Sequence, residues 1–497
     1  MFDVIVIGGG VIGCSILDTL QKYNTKCLLL EKYDDVSCGA SRANSGIVHA
    51  GYDCVPNTLK AELNVKGCKM MKQVAEELHV PYVNTGSLVV TTKNGKAGIE
   101  ELYNKGIQNG VDVEIIGRDR ILEIEPNIAD DIELALYAKD AGIVSPYKLT
   151  IAYCDHAILN GAEVKVGEEV VDVKKNGDVF TVSTATGNSY EAKVVINCAG
   201  AGSMKLNNAI GAEVYDEVFR RGDYFVLDQQ EKANVNTVIF PLPDEKGKGI
   251  LVAPTADGNV IYGPTSVVIE DGEDKSVSSE GLDQIRAGVS KTFKKPNYRK
   301  VIRLYAGVRH VVGDDFVIEF SKKIENFITV TGICSPGLTS APAIGEKVAD
   351  MVGTIIKLDK KDTLVENPEH PRFVNLSTEE LNEKVKQDPK WGRLICRCEK
   401  VTEAEIVAAI HQPLPAKSVD AVKRRTRAGM GRCQGGFCGP RVIEIIAREL
   451  NIPITSVKKD NGNSEIAIGK LKEIEYEIWC LRNWRWSCRN GCSTRSS

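Results

Sequence analysis

The sequence predicts an α/β fold, α+β overall, built in three parts, and three observations predict it. An apolar strand runs into a glycine-rich turn and then a helix at the N-terminus, short strands separated by turn residues fill the middle, and a compact cysteine-bearing stretch follows a charged, proline-dotted linker. The chain has 497 residues, and at roughly 150 residues per domain that length suits about three domains.

The elements follow in order. Asp3 to Ile7 is an apolar strand, Gly8 to Gly10 a turn, and Val11 to Leu20 a helix by its apolar period. Cys27 to Leu30 is a second strand ending at Glu31. Ala162 to Val173 and Val179 to Thr184 read as strands around a Lys-Asn-Gly-Asp turn, and Val194 to Cys198 as a buried strand. Tyr224 to Leu227, Thr237 to Phe240, Gly249 to Ala253 and Val260 to Tyr262 predict an antiparallel sheet. Ile328 to Thr331 is a further strand, and Ala343 to Ile356 a helix. Residues 356–390 read as a linker with a short helix, and 391–450 as a small helical unit.

Composition excludes several classes. Lys and Arg number 63 against 67 Asp and Glu, a formal charge of −4, so the broad basic surface of a nucleic-acid binder is missing. With 43% hydrophobic and 26% charged residues the chain is globular rather than disordered. The N-terminus lacks a basic region and cleavage site, and no apolar run reaches a membrane-spanning length. The expected location is therefore the cytoplasm, with any membrane association made through a partner.

Gly8-x-Gly10-x-x-Gly13 after a strand and opening a helix is a dinucleotide fingerprint, and Glu31 completes it as the acceptor for ribose hydroxyls. Gly8 permits the turn, Gly10 admits a pyrophosphate to the helix N-terminus, and Gly13 lets helix pack on strand. Spacing alone does not separate NAD from FAD. Further blocks do: Ser41-Arg-Ala-Asn44-Ser45-Gly46, His49-Ala-Gly51, Ile196-Asn-Cys-Ala199-Gly200-Ala-Gly202, Tyr305-Ala-Gly-Val-Arg309, and Ser335-Pro-Gly-Leu338-Thr339-Ser-Ala-Pro342.

These blocks, spread over roughly residues 1 to 355, resemble the glycine-oxidase and D-amino-acid-oxidase class of flavoproteins. The subgroup they most resemble holds L-2-hydroxyglutarate dehydrogenases and FAD-dependent glycerol-3-phosphate dehydrogenases. The resemblance implies a Rossmann-like FAD-binding domain (about 1–80, 145–210 and 300–355) and an antiparallel-sheet substrate domain (about 81–144 and 211–299). It also implies that Gly8, Gly10, Gly13, Glu31, Ser41, Asn44, Ser45, Val170, Ala199, Gly200, Leu338 and Thr339 line FAD, Val170 by its backbone.

Such a dehydrogenase needs a proton acceptor and an anion clamp beside the flavin. His49 is the candidate base, or else a hydrogen-bonded structural histidine. Arg309 is the candidate clamp, since a guanidinium fork matches carboxylate or phosphate; its other reading is a framework ion pair. Arg221, Tyr224 and Tyr262 are weaker candidates from the middle sheet. His79, His156, His310, His370 and His411 carry no expected role.

Nine of the 15 cysteines are scattered singly and read as small buried hydrophobes. Four are not scattered. Cys396-x-Cys398 and, 34 residues on, Cys433-x4-Cys438 offer four thiolates in two close pairs, as a 2Fe–2S cluster or a tetrahedral zinc requires. The C-x-C pair is unlike common zinc ribbons, and the segment resembles the bacterioferritin-associated-ferredoxin type of 2Fe–2S domain. Arg393, Arg397, Lys423, Arg424, Arg425, Arg427, Arg432 and Arg441 read as counter-charge for such a cluster, or as a solvated face.

The last 19 residues hold Trp479, Trp484, Trp486, Cys480, Cys488, Cys492 and four arginines, with no acid after Glu477. Residues 451–497 are expected to be a disordered tail, and one reading of the break near residue 478 is a shifted reading frame.

The expectation is an FAD-dependent dehydrogenase acting on a CH–OH group, glycerol 3-phosphate first and L-2-hydroxyglutarate or another 2-hydroxy acid second. Electrons leave through the cluster to an acceptor protein, which could be a second flavoprotein subunit, or to a quinone. An electron-transfer subunit without its own metabolite, and a redox sensor using the cluster as a switch, remain open.

Overall fold

A computed structural model describes residues 1–243 and 249–469. The N-terminal strand β1 (Phe2–Ile7) is apolar at every position but one and lies mid-sheet, between strand β2 (Cys27–Glu31) and strand Ser189–Asn197, parallel to both. Eight strands form this sheet; Glu163–Val166 extends it beyond β2, and Phe327–Thr331 runs parallel to Ser189–Asn197. The expected strand from Ala162 to Val173 is broken in two. Gly167, at φ +75°, turns the chain between Glu163–Val166 and Val170–Asn176 and donates its N–H to the Tyr33 carbonyl.

Helix α1 (Val11–Leu20) and helix α2 (Leu59–Glu77) both pack on the helix Gly337–Gly353. The approach is backbone-close. A Cβ on Gly345 would stand 2.6 Å from Thr19 Oγ1, and one on Gly67 2.1 Å from the Thr339 carbonyl oxygen. The Ser15 hydroxyl locks the first contact by donating to the Ala341 carbonyl at 2.9 Å. This last helix starts six residues earlier than its expected start at Ala343. Pro342 therefore sits within the helix, which ends at Gly353 rather than at the expected Ile356.

A second sheet has nine strands. Its long ribbon, Glu217–Leu227 against Val301–Val312, is antiparallel, as are most of its pairs. One pair departs from the expected antiparallel order: Val238–Pro241 runs parallel to Ser87–Thr91. Residues 81–144 supply that edge, so the sheet is assembled from two separate stretches of chain. Period-two alternation gives it two buried faces. Tyr224, Phe240 and Ile261 lie on the face shared with Ile47 and Ala50; Phe225, Ile239 and Tyr262 lie on the other.

Residues 356–390 cross the surface of the first sheet's domain and carry one helix, Thr378–Gln387, opened by a Ser377/Glu380 capping box. The C-terminal unit is a two-strand hairpin, Leu394–Cys396 with Val401–Thr402, and helices Glu403–Ile410, Val419–Thr426 and Gly439–Leu450. Thr402 and Glu405 form its capping box, and Val401, Ile406, Val422, Val442 and Ile446 its core.

Residues 457–465, within the stretch expected to be a disordered tail, pack on the rest of the chain. Val457 is fully buried, Lys458 bridges to Glu465, and Asp460 and Asn461 bond to distant residues. Polar partners hundreds of residues away hold it, which local composition does not reveal. The Trp- and Arg-rich end, with the proposed frame break, lies outside the described residues. Among the described residues no helix is long and apolar enough to cross a membrane.

Candidate active site and cluster site

The turn after β1 has the form a dinucleotide needs. Gly8 takes φ +111°, and a Cβ there would stand 2.4 Å from the Cys198 carbonyl oxygen. A Cβ on Gly13 would stand 2.0 Å from the Gly8 carbonyl oxygen, so α1 seats on β1 only with glycine there. Gly10 is the N-cap of α1, and no acidic side chain occupies its first turn, which leaves the positive helix end to an anion. The Ser41 hydroxyl accepts the Val11 N–H at 2.9 Å.

Glu31 is buried at the end of β2. Its carboxylate accepts the N–H groups of Gly9 at 2.6 Å and Tyr33 at 2.9 Å. Burial pushes its carboxyl up, and those two amides offset part of the rise. Asn44 shapes the next loop: its amide donates to the Ala40 and Ser41 carbonyls and its Oδ1 accepts Gly46 N–H. Ala199 and Gly200 (φ +56°) end the strand that follows β1 in the sheet, and Val170 opens its strand at a register shift. Leu338 and Thr339 lie in the first turn of Gly337–Gly353, where Thr339 Oγ1 accepts the His49 N–H at 2.9 Å. The two halves of the expected FAD site therefore meet at residues 41–49. A positive-φ Gly8, a helix N-terminus with no acidic residue in its first turn and the buried Glu31 fit a dinucleotide.

The substrate-side candidates divide. His49 is buried, its Nε2 3.5 Å from Ser335 Oγ and its ring 5.8 Å from that of Phe240. Tyr224 stacks on Tyr305 at 4.5 Å and feels the charge of Arg309. Burial pushes its hydroxyl up to about 12. Arg309 is half-buried and donates from Nη2 to the Thr265 carbonyl at 2.8 Å. Arg221 is instead a framework cation, bonded to Asp274 and to Ser276 at 2.7 Å. Tyr262 is on the far face of the sheet, packed on Phe293 and Tyr298, because it follows Ile261 by one residue and alternation turns it away.

Sequence reasoning missed the supports of these groups. Tyr305 Oη donates to the Asn44 carbonyl at 2.9 Å, and Asn64 Nδ2 to the His49 carbonyl at 2.7 Å. Tyr305 lies four residues before Arg309 on one strand, which period two puts on the same face, so that signal was present.

In the C-terminal unit the four thiols stand as two pairs. Cys398 and Cys433 are exposed, with sulfurs 3.8 Å apart, and Cys396 and Cys438 are buried. The Cys438 thiol holds the Cys396 thiol below its ordinary value and is itself pushed up by Cys396. Among the described residues no three His, Cys, Asp or Glu side chains converge as on one ion. Four thiols, two exposed and two buried, suit two bridged irons, which take two thiolates each.

The arginines expected to balance the cluster are mostly engaged elsewhere. Arg424 and Arg425 bond to Asp35, and Arg427 to Glu399 at 2.7 Å and Asp257 at 3.2 Å. Arg432 pairs with Asp228, Arg393 with Glu403 and Arg441 with Glu444. Lys423, 3.8 Å from Asp420, is pushed down to about 8 by burial and by Arg303. Arg397 lies 4.5 Å over the exposed Phe437 ring beside the outer cysteines. Four of these eight, Arg424, Arg425, Arg427 and Arg432, dock the unit onto the flavin-type fold.

Residues 3–351 match the family described as FAD dependent oxidoreductase, and residues 394–448 the BFD-like [2Fe-2S] binding domain. A glycerol 3-phosphate dehydrogenase of Caloramator mitchellensis is 45% identical over 479 residues, covering 95% of this chain and 99% of that protein. An L-2-hydroxyglutarate dehydrogenase of Escherichia coli is 28% identical over 404 residues, covering 72% and 94%. The FAD-bound, dithionite-reduced L-α-glycerophosphate oxidase of Mycoplasma pneumoniae superposes with a TM-score of 0.70 at 28% identity, over 73% of this chain and 97% of its own.

Proposed function

Because this chain belongs to the FAD dependent oxidoreductase family and carries a BFD-like [2Fe-2S] binding domain, we propose that it oxidises glycerol 3-phosphate to dihydroxyacetone phosphate and sends the electrons out through the cluster. The observation that carries the substrate is the 45% identity to a glycerol 3-phosphate dehydrogenase across 99% of that protein, cluster domain included.

FAD, bound along the Gly8–Gly13 turn and the Leu338–Thr339 turn, supplies the two-electron acceptor. The chain's residues do the rest. Oxidation breaks the C2–H bond with its electron pair and removes the hydroxyl proton. His49 takes that proton, its backbone held by Thr339 and Asn64. Arg309 presents the guanidinium edge not bonded to Thr265 to the phosphate. Tyr224 and Tyr305, stacked and anchored through Tyr305 on Asn44, exclude water from that side. Cys396, Cys398, Cys433 and Cys438 would hold the one-electron group, and Cys398 and Cys433 are the exposed pair among them.

Anaerobic titration tests this. Heat should release FAD, and glycerol 3-phosphate should bleach the flavin while L-2-hydroxyglutarate does not. Bleaching by the hydroxy acid alone would move the substrate to that class. Bleaching by neither would leave an electron-transfer subunit.

A further inference from the structure

The loop between β2 and Ser41 belongs to the FAD site at both ends. Glu31 holds Gly9 N–H, and Ser41 holds Val11 N–H. In between, Ser37, a non-glycine at φ +61°, donates its N–H to the Gly9 carbonyl, and the fully buried Val36 lies against Gly9. The loop's conformation is thus the conformation of the pyrophosphate turn.

Its buried carboxylate, Asp35, takes its cations from the other end of the chain. Arg424 bonds to it at 2.8 and 3.3 Å, and Arg425 at 2.9 and 3.1 Å. Arg424 also reaches Asp460 at 3.0 Å, which takes Arg42 at 2.6 Å. Lys458 pairs with Asp34 at 2.8 Å, and Asn461 Oδ1 accepts the Asp34 N–H at 3.0 Å. Among the described residues, every cation bonded to Asp35 comes from residues 424 and 425.

We infer that the cluster domain and the segment behind it form a clasp on the FAD loop, with Arg424, Arg425 and Asp460 as positioning residues, so that FAD affinity and docking of the cluster domain are linked. This rests on FAD lying along the Gly8–Gly13 turn. Without the clasp, Asp35 is a buried charge lacking its partners, and the loop must open to hydrate it. Opening withdraws Val36 and Ser37 from Gly9 and moves Glu31 and Ser41. Linkage then requires the converse: bound FAD tightens docking by the factor by which docking tightens FAD.

The test uses the full chain with its cluster loaded. Arg424→Lys keeps the charge and loses the fork; it should weaken FAD binding at least about 10-fold, read by flavin fluorescence on dilution. Asp460→Asn, at a partly exposed site, should weaken it about 3-fold or more and decides the matter if the first variant does not fold. Arg448→Ala breaks pairs inside the cluster domain and should leave FAD affinity unchanged. FAD should slow proteolysis within residues 357–390 of the wild type and do so less in Arg424→Lys. Excess FAD should restore flavin bleaching in both weakened variants. Unchanged FAD affinity in folded, cluster-loaded Arg424→Lys or Asp460→Asn overturns the clasp. A wild type that binds no FAD overturns the underlying site instead.

Discussion

Replacing Arg427 with Met removes one guanidinium from a buried junction and keeps nearly the same volume. Arg427 is 4% exposed at its side chain and bonds to Glu399 at 2.7 Å, Asp257 at 3.2 Å, Asn259 at 2.6 Å and the Tyr147 hydroxyl at 3.2 Å. The two carboxylates then differ. Asp257 keeps Lys148 at 2.7 Å, so its charge stays compensated. Glu399, 3% exposed, is left with a neutral contact, Gln229 at 3.2 Å. One uncompensated buried charge costs about 3–5 kcal/mol, and the surviving Lys148 pair puts the expected loss near the lower end, about 3 kcal/mol. Urea unfolding should be followed at two signals, cluster absorbance and flavin fluorescence, since a chain of several domains need not unfold in one step. The cluster transition should move by that amount, and the flavin transition by less. Arg427→Met with Glu399→Gln should recover most of the loss, because the stranded charge goes with its partner. A shift below about 1 kcal/mol in the single variant, the range of a surface pair, would refute the argument.

Three other outcomes are expected. Arg309→Lys should weaken substrate binding by about 2 kcal/mol in flavin-bleaching titrations while FAD stays bound, because lysine cannot hold Thr265 and a phosphate with one planar fork; unchanged affinity would remove Arg309 from the site. Cys433→Ser should abolish the reduced cluster's EPR signal and turnover with the acceptor but leave substrate bleaching intact; full turnover without the cluster would make that domain structural. Asp155, which accepts the Leu414 N–H at 2.8 Å, is pushed up by burial to about 6. The folded chain therefore binds this proton more tightly than the unfolded one, and stability is lost as pH rises from about 4 through 6. Asp155→Asn should be the more stable protein at pH 8 by about 1–3 kcal/mol and match wild type at pH 4; equal Tm differences at both pH values would exclude Asp155 as the cause.

The sites legible in the sequence are those whose parts are close along the chain. Gly8, Gly10 and Gly13 act within one turn, and each cysteine pair spans a few residues, so spacing carried the chemistry. Long separations hid the rest. Arg424 and Arg425 read as counter-charge for nearby thiolates because their partner, Asp35, lies 389 and 390 residues away. Tyr224 and Tyr262 looked equivalent because both sit in strands; only the register Phe225 to Tyr262 shows that they face opposite sides. The parallel pair between Val238–Pro241 and Ser87–Thr91 was invisible for the same reason, since nothing local distinguishes it from a hairpin.

That 389-residue span also sets a schedule for the chain's synthesis. At about 5–20 residues per second, Asp35 leaves the ribosome roughly 20–80 s before Arg424 exists. By residue 353 the helix that packs on α1 is complete, so the nucleotide fold can close while its loop still lacks those cations. A message truncated between residues 353 and 424 would therefore yield a compact body with an unmatched carboxylate beside its cofactor turn. Such a product is a substrate for proteolysis rather than a working half-enzyme, which ties flavin retention to completion of the redox relay.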